Sequence, residues 1–513
     1  MEKMNMEKRD SWASRSTFIL ASVGSAVGLG NAWRFPGLAA KHGGGTFLVV
    51  FLIVLFAIGI PLLMMELSIA RKLHKGAAES LRGINKKMEP VGWAATANAF
   101  VIVTYYAIVF AWILLMVVGA FKFGHMTGDA VAAKGVFESM TKTTWDVVGY
   151  TIPIPVLIAA IVAWGMMYYC IRDGASSVGA VVKYTVMLPI LLLLVLAIKG
   201  CTMDGAVDGL KMLLIPQLSA FSDASLWIDA TGQVFYSLSI MMAIMFAYGS
   251  YLDSATNLAE DCMIIAFSDA AVSVLSAIVM FSTMGGVGML DEISDSGIAT
   301  AFLIYPQAIV NLTSNGVVNV IFGVIFYLML VTLAIDSAFS IVEGVSASVS
   351  DKFKLNPKKT TIGICTIAGI ISLIYCTRAG LAWLDIVDNW TNQINLILIG
   401  VLECIAVGWM FDPEKVLKQI NRNADKFKMP KKWFVISVKY VSPIALSVLF
   451  VWNLYTLFVI KGGHYGYAFW AEFIGGWCVS ALVFASGFIV KLVVKIKQKK
   501  GFVENEVEWI DED

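Results

Sequence analysis

Apolar stretches long enough to cross a lipid bilayer recur along this chain from end to end. About 20 apolar residues cross roughly 30 Å of hydrocarbon, and repeated runs of that length leave no room for a large soluble domain among 513 residues. Charged residues make up only 15% of the chain, against about 25% in soluble proteins. The sequence therefore predicts an all-α integral membrane protein in contact with lipid and gives no sign of nucleic-acid binding. The twelve predicted transmembrane helices cover residues 16–40, 46–70, 91–122, 149–171, 177–199, 227–252, 264–289, 316–348, 360–376, 381–410, 433–459 and 468–495.

Lysine and arginine are concentrated in alternate loops. They cluster within residues 71–87, 352–359 and 415–432, and again in the tail from 495 to 500. The positive-inside rule places such loops in the cytoplasm, and both termini with them. The short tails and the lack of an extended extracellular loop favour a multi-pass protein of a bacterial plasma (inner) membrane.

Two predicted spans contain residues that weaken a transmembrane helix. The first carries Gly24, Gly28 and Gly30 within ASVGSAVGLGNAWRFP, and the sixth carries polar groups in QVFYSLSIMMA, residues 233–243. A Gly-x-x-x-Gly pair can simply form a close helix-packing face. Corresponding breaks in two halves of a chain instead indicate a transporter site, since unwound backbone at mid-membrane is tolerated only where it lines a cavity.

Acidic residues also lie inside apolar spans, where an unpaired charge is costly. They are Asp269, Asp336, Asp388, Glu343 and Glu403. Each could be a packed, neutral carboxyl, but several together favour an ion path. Asp336 and Ser337 form an oxygen-rich patch that suits a hard cation such as sodium, whereas Arg34 in the first span needs an anionic partner.

Seven stretches, taken in order, resemble the neurotransmitter:sodium symporter family. They are WASRSTFILASVGSAVGLGNAWRFP (12–36), GGGTF (43–47), GIPLLMMELSIAR (59–71), the pair Tyr105 and Tyr106, GQVFYSLS (232–239), YGSYL (248–252) and DPEKVLKQINR (412–422). The resemblance covers nearly the whole chain and implies the LeuT fold, in which the first and sixth helices are unwound. It implies a cytoplasmic segment at 1–15, two inverted five-helix repeats at 16–200 and 227–410, two additional helices at 433–495 and a cytoplasmic tail at 496–513.

The same resemblance implies two sodium sites. The first would use the Ala26 carbonyl with the side chains of Asn31, Ser237 and Asp269. The second would use the carbonyls of Gly24, Val27 and Leu333 with the side chains of Asp336 and Ser337. Unwinding between Gly24 and Gly28 would free carbonyls for the cations and N–H groups for a substrate carboxylate.

Gly28 bears most directly on the substrate class. Family members that carry monoamines have Asp there, so a position without a side chain favours an amino acid whose own carboxylate completes the first sodium site. The resemblance places eleven residues around the substrate: Ala26, Gly28, Ile102, Tyr106, Val109, Tyr236, Ser237, Ser239, Met242, Ser337 and Ile341. This lining favours a neutral, hydrophobic amino acid. Ile240-Met241-Met242-Ala243 stands where the family usually keeps glycines. Methionine is bulky yet adaptable, so it could instead fill the pocket toward small substrates or repack around several.

Two neighbouring residues bear on chloride. Ser273 stands where chloride-dependent members carry Ser and alone would suggest chloride, but Asp269 stands where many members have Asn. A fixed carboxylate there supplies negative charge beside sodium and would repel a second anion. We therefore expect transport without a chloride requirement.

The resemblance also implies two gates. Arg34 would pair with Asp388 above the substrate, over an aromatic lid of Tyr106 and Tyr236. Arg9 would pair with Asp351 at the inner face, with Trp12 and Tyr251 packed around them.

The predicted function is sodium-coupled import of a neutral, hydrophobic amino acid by alternating access. The alternatives are a non-transporting amino-acid sensor of the same fold, or a symporter of a small amino acid or another carboxylate-bearing solute. No metal-ligand set or nucleophile constellation indicates an enzyme, and either a monomer or a homodimer is compatible with the sequence.

Overall fold

This computed structural model describes residues 11–293, 296–463 and 465–511, and most of these residues lie in helices. Nine helices in those ranges are long and apolar enough to span a membrane. They are α3 (Gly45–Leu73), α5 (Lys86–His125), α8 (Ile154–Ile171), α9 (Ala175–Cys201), α13 (Leu258–Val287), α15 (Gly316–Phe353), α17 (Gly380–Gly408), α19 (Lys431–Ile460) and α20 (Phe469–Gln498). The shorter helices are α1 (Arg15–Ala26), α2 (Phe35–Lys41), α4 (Ala77–Ile84), α6 (Ala130–Lys134), α7 (Val136–Thr141), α10 (Ala206–Leu214), α11 (Ala224–Ser237), α12 (Ile244–Ser250), α14 (Gly297–Val310), α16 (Pro357–Ser372) and α18 (Pro413–Asn421).

The nine long helices coincide with nine of the twelve predicted spans. The other three predicted spans are shorter or interrupted. Residues 16–40 are divided between α1 and α2, residues 227–252 are divided between α11 and α12, and residues 360–376 overlap α16, which has 16 residues. Two of the three differences therefore come from breaks within a span.

Polar residues in the sequence fix where several helices begin. The Ser14 side chain accepts a hydrogen bond from the Thr17 N–H (3.2 Å) and caps α1. Asn257 and Asn315 cap α13 and α15 in the same way. Such caps satisfy N–H groups that lack a partner within the helix.

The first break follows Ala26, the last residue of α1. Val27 has extended backbone angles (φ −79°, ψ 96°), and the chain resumes as a π-helical turn over Gly30–Arg34 before α2. The Gly28 N–H donates to Asn31 Oδ1 at 2.9 Å, so a side chain beyond the break holds its main chain. The last carbonyls of α1 receive no hydrogen bond from a helical N–H beyond the break, as at any helix C-terminus.

The second break separates α11 from α12 and contains no glycine. Ser239, Met241 and Ala243 have positive φ values of 54°, 64° and 62°. Left-handed backbone costs about 1–3 kcal/mol for each non-glycine residue, so surrounding contacts must hold this segment. All residues of this segment, 238–243, are buried.

Helices α5 and α15 make the most extensive helix–helix contact in the described chain. They bring Ile102 and Tyr106 of α5 and Asp336 and Ser337 of α15 to the level of the two breaks. The site is thus built from two rigid helices and two interrupted ones.

Candidate functional site

The two breaks lie against each other in the protein interior. Ser239 Oγ donates to the Ser25 carbonyl at 2.8 Å, and Gln233 Nε2 donates to the Gly30 carbonyl at 3.2 Å. Gly30 permits this approach, because a Cβ there would stand 2.7 Å from Tyr236 Cδ1. Main-chain groups at both breaks therefore lie close together in the protein interior.

A cluster of four buried polar side chains lies beside the first break. Asn31 Nδ2 is 2.7 Å from Asp269 Oδ1, 3.0 Å from Ser237 Oγ and 2.8 Å from Ser273 Oγ. Ser237 Oγ is also 2.7 Å from both Asp269 carboxylate oxygens. Three of the four ligands expected at the first sodium site are thus in mutual contact, and Ala26 lines the adjoining cavity. Asp269 and the two serines supply the carboxylate and hydroxyl oxygens that a hard cation prefers, while Asn31 turns its nitrogen toward them and its oxygen toward the Gly28 N–H.

Asp336 lies on the other side of the first break. A Cβ on Gly24 would stand 2.7 Å from Asp336 Oδ2, while Asp336 Oδ1 is buried and accepts no hydrogen bond from any described donor. Ser337 Oγ donates to the Ser25 carbonyl at 3.3 Å. Val27 and Leu333, the other expected ligands, are also buried. A buried carboxylate oxygen without a partner is costly, and a sodium ion held by these groups would satisfy it.

A cavity of about 20 Å³ lies between the breaks. Nine of the eleven predicted substrate contacts line it: Ala26, Gly28, Ile102, Tyr106, Tyr236, Ser239, Met242, Ser337 and Ile341. Ser237 belongs to the Asn31 cluster, and Val109 lines a separate, larger cavity. Ser25, Leu29, Gly30 and Ile244 also line the small cavity and were not among the predicted substrate contacts. The first three are neighbours of predicted residues in one motif, whereas Ile244 begins α12 and carries no distinguishing signal.

One end of the small cavity is polar. The Tyr106 hydroxyl is buried with no hydrogen-bond partner among the described residues, and it lies 3.7 Å from where a Gly28 Cβ would stand. The Cβ would also collide with Ser337 Oγ. The apolar side chains of Ile102, Met242 and Ile341 also line the cavity. A hydroxyl donor together with an apolar lining suits a solute with an anionic group and a hydrophobic side chain.

The larger cavity, about 300 Å³, adjoins Tyr106 and Tyr236 and contains both residues of the first expected gate. The Arg34 guanidinium lies 5.5 Å from the centre of the Tyr236 ring. Asp388 accepts hydrogen bonds from Tyr105 Oη and Asn392 Nδ2, each at 2.7 Å. In the described structure Arg34 and Asp388 thus line one cavity without forming an ion pair with each other.

The aromatic residues of the second expected gate are packed together at the far end of α12. Trp12 Nε1 donates to the Tyr248 carbonyl at 3.0 Å, and its ring centre lies 5.9 Å from that of Tyr251. Tyr251 in turn donates to Glu343. Asp351 Oδ2 accepts the Gly76 N–H at 2.6 Å, and Arg9, its expected partner, lies outside the described residues.

Comparison with known proteins places these features in one family. Residues 9–127 and 136–499 match the sodium:neurotransmitter symporter family. An uncharacterized sodium-dependent transporter of Methanocaldococcus jannaschii is 31% identical over 97% of this chain and 100% of its own length. The human sodium- and chloride-dependent GABA transporter 2 is 27% identical over 91% of this chain and 84% of its own. The bovine sodium- and chloride-dependent taurine transporter is 28% identical over 96% and 85%, respectively.

These matches run through both breaks and the polar clusters beside them. The family consists of sodium-dependent membrane transporters, in agreement with the apolar helices and the oxygen-rich clusters described above. The chain belongs to the sodium:neurotransmitter symporter family.

Proposed function

We propose that this protein is a symporter that couples the import of a neutral, hydrophobic amino acid to sodium. The observation that carries the proposal is the small cavity between the breaks, where the unpartnered Tyr106 hydroxyl and the bare Gly28 face apolar side chains. The relatives named for GABA and taurine transport carry solutes with one amine and one acidic group. An acidic group at the Tyr106 end is consistent with that chemistry.

Two sodium ions complete the proposed site. One would be held by Ala26, Asn31, Ser237 and Asp269, and the other by Gly24, Val27, Leu333, Asp336 and Ser337. Contact among Asn31, Ser237 and Asp269 and the unpartnered oxygen of Asp336 support these two positions. Both sets of sodium ligands adjoin the first break, and residues of that break also line the small cavity. Binding of the ions and of the substrate would therefore be coupled.

Substrate binding requires this cavity to expand. Its volume of about 20 Å³ is enough for a water molecule or two, since one water needs about 10–15 Å³, but not for a hydrophobic side chain. Met242 is flexible and can repack as the pocket widens. This adaptability favours a range of hydrophobic substrates over one fixed side-chain shape.

Alternating access would open the two ends of the site in turn. The cavity containing Arg34 and Asp388 lies on one side, while Trp12 packs against Tyr248 and Tyr251 on the other. Basic segments at the end of α3 and beyond α15 gather on the Trp12 side, where Lys75 lies 4.0 Å from Asp351. By the positive-inside rule that side is cytoplasmic, so this conformation would face outward across the plasma membrane.

The proposed architecture is the twelve-span LeuT fold with two inverted repeats. The first and sixth predicted spans are not among the nine long helices because each is divided by a break. Corresponding breaks in the two halves are expected where an inverted repeat forms a transport site. The 16-residue α16 would be the third.

The decisive experiment is uptake of labelled amino acids into proteoliposomes with and without an inward sodium gradient. We expect accumulation of a hydrophobic amino acid that requires sodium and disappears in Asp336→Asn. Competition by a panel of common amino acids would identify the preferred side chain. Sodium-dependent binding without accumulation would instead establish a sensor, and preference for glycine or alanine would contradict the hydrophobic specificity.

A further inference from the structure

Asp388, the acidic residue of the proposed outer gate, is held by one of its two carboxylate oxygens. Tyr105 Oη and Asn392 Nδ2 both donate to Asp388 Oδ1, each at 2.7 Å. Asp388 Oδ2 accepts no hydrogen bond from a described donor and is not buried. Asp388 lines the larger cavity together with Arg34. One carboxylate oxygen is therefore occupied, and the other is accessible.

The two donors are themselves fixed. Tyr105 is buried, and its ring packs edge-on against the ring of Tyr375, with the ring centres 6.1 Å apart. Asn392 is also buried, and its Nδ2 lies 3.3 Å from Tyr105 Oη as well as 2.7 Å from Asp388 Oδ1. The three side chains thus form a closed triangle of hydrogen bonds around one oxygen of the gate.

Helix α5 also holds the main chain that follows Asp388. In α17 a π-helical turn covers Thr391–Asn395, directly after the gate residue. Asn98 Nδ2 of α5 donates to the Thr391 carbonyl at 3.2 Å. Asn98 and Tyr105 are seven residues apart on α5, about two turns, and therefore lie on the same face of that helix. This face of α5 fixes both the gate carboxylate and the backbone next to it.

Such an arrangement favours formation of an ion pair when the cavity closes. The Arg34 guanidinium now lies 5.5 Å from the centre of the Tyr236 ring and is not paired with Asp388. A freely rotating Asp388 side chain would have to be ordered each time the pair formed, at a cost in conformational entropy. With Oδ1 already held, only the arginine has to move.

We propose that Tyr105 and Asn392 are positioning residues of the outer gate. They hold Asp388 Oδ1 so that Oδ2 receives Arg34 when the larger cavity closes. This inference rests on the proposed function, in which that closure is a step of transport. Neither Tyr105 nor Asn392 lines the small cavity, so both act on transport through Asp388 and not through contact with the substrate.

The first test compares the uptake rate with substrate affinity in proteoliposomes. Tyr105→Phe and Asn392→Leu each remove one donor to Asp388 and keep its charge. We expect the uptake rate to fall about fivefold or more in each variant, while sodium-dependent substrate binding stays within about twofold of wild type. A wild-type rate in both variants would overturn the proposal.

Tyr375 supplies a matched control. Its ring packs against Tyr105, but its hydroxyl lies within hydrogen-bonding reach of Thr104 instead of Asp388. Tyr375→Phe removes a hydroxyl from the same neighbourhood and retains the ring packing, so uptake should be unchanged. A loss equal to that in Tyr105→Phe would overturn the proposal, since general loosening around α5 would then explain both results.

The route through Asp388 is tested by combining two substitutions. In an Asp388→Asn background, Tyr105→Phe should cause no further loss of uptake rate, because the charge that the tyrosine positions is already absent. If the two losses multiply, Tyr105 acts somewhere else and the positioning role is wrong.

Infrared difference spectroscopy of the purified full-length protein gives a readout that needs no substrate. The bands of the Asp388 carboxylate are obtained by subtracting the spectrum of Asp388→Asn from that of the wild type. Carboxylate stretching frequencies depend on the hydrogen bonds at the oxygens, so Tyr105→Phe and Asn392→Leu should shift these bands. Tyr375→Phe should leave them in place. Unshifted bands in the first two variants would contradict the proposal.

These measurements separate the possible failures. If the wild type accumulates no amino acid, the proposed function fails, and the infrared comparison still decides whether Tyr105 and Asn392 hold Asp388. If the wild type and Asp388→Asn transport equally well, the gate fails and the positioning role with it. If Asn392→Leu does not fold, as a thermal-unfolding scan would show, Tyr105→Phe carries both the uptake test and the infrared test.

Discussion

Gly24 and Asp336 are so close that any side chain on the glycine would displace the carboxylate. A Gly24 Cβ would stand 2.7 Å from Asp336 Oδ2 and 2.7 Å from Val186 Cγ2. We expect Gly24→Ala to move the carboxylate and reduce sodium-dependent uptake by at least about tenfold, equivalent to ~1.4 kcal/mol. The measurement is the sodium concentration dependence of uptake into proteoliposomes.

Gly165 supplies the control for that substitution. It lies in α8, and a Cβ there would meet nothing within 4 Å. Gly165→Ala should leave the sodium dependence unchanged, since alanine is also the better helix former. Normal sodium dependence in Gly24→Ala would show that Asp336 does not help to hold a coupled ion.

Asp269 makes the chloride requirement testable. A fixed carboxylate beside the first expected sodium should make a mobile anion unnecessary, so replacing chloride by gluconate should leave wild-type uptake unchanged. Asp269→Asn removes the charge while Ser237 and Ser273 stay beside Asn31. We expect that variant to lose uptake and to recover part of it only with chloride. A large loss of wild-type uptake in gluconate would contradict the chloride proposal.

Arg34 and Asp388 should affect transport more than binding. They line the cavity next to Tyr236 but are not paired in this conformation, so their ion pair would form only when the cavity closes. Arg34→Gln and Asp388→Asn should therefore reduce the rate of uptake while leaving sodium-dependent substrate binding within about twofold, or ~0.4 kcal/mol. Wild-type transport in both variants would exclude the gate.

Lys352 should be a major contributor to stability. Its Nζ lies 2.9 Å from Glu79 Oε1 and 2.5 Å from both Glu89 Oε1 and Glu504 Oε1, and the side chain is only 1% exposed. Arg82 also contacts all three carboxylates, at 3.3–3.6 Å, so Lys352→Met would remove the nearer of their two shared cations. We expect a loss of about 1–3 kcal/mol, measured by thermal unfolding in detergent.

Lys358 provides the exposed counterpart. It pairs with Asp173 at 2.7 Å, but its side chain is 65% exposed. Lys358→Met should change stability by no more than about 1 kcal/mol, as for other surface ion pairs. Similar unfolding temperatures for the two lysine variants would show that the buried cluster adds little.

The sequence predicted the first break better than the second, for a physical reason. Gly24, Gly28 and Gly30 weaken a helix wherever they stand, so their effect is visible in one short motif. The left-handed Ser239, Met241 and Ala243 give no such local signal. Their conformation depends on a hydrogen bond from Met241 to Glu66, 175 residues away, and no local pattern encodes a contact of that kind.

The same distinction applies to the site residues. Asn31, Ser237 and Asp269 are in contact. Asn31 and Ser237 belong to two of the seven family-like stretches, and the resemblance placed Asp269 with them although many members have Asn at that position. Glu66 is not among the expected site residues, because only the packing of α3 against the second break brings its carboxylate to the Met241 N–H. Val109 follows Tyr106 by about one helical turn on α5 and lines the larger cavity instead of the small one.

The close fit of Gly28 against Ser337 also limits how this protein could evolve. A carboxylate at position 28, suited to an amine substrate, would collide with Ser337 Oγ. Removing the Ser337 side chain first would eliminate its hydrogen bond to Ser25 and a proposed sodium ligand. Ser337 Cβ would stand at an ordinary 3.5 Å from the new side chain, so the hydroxyl alone would have to rotate, at the expense of that hydrogen bond. A change from amino acids to amines would therefore involve positions in two distant segments of the gene.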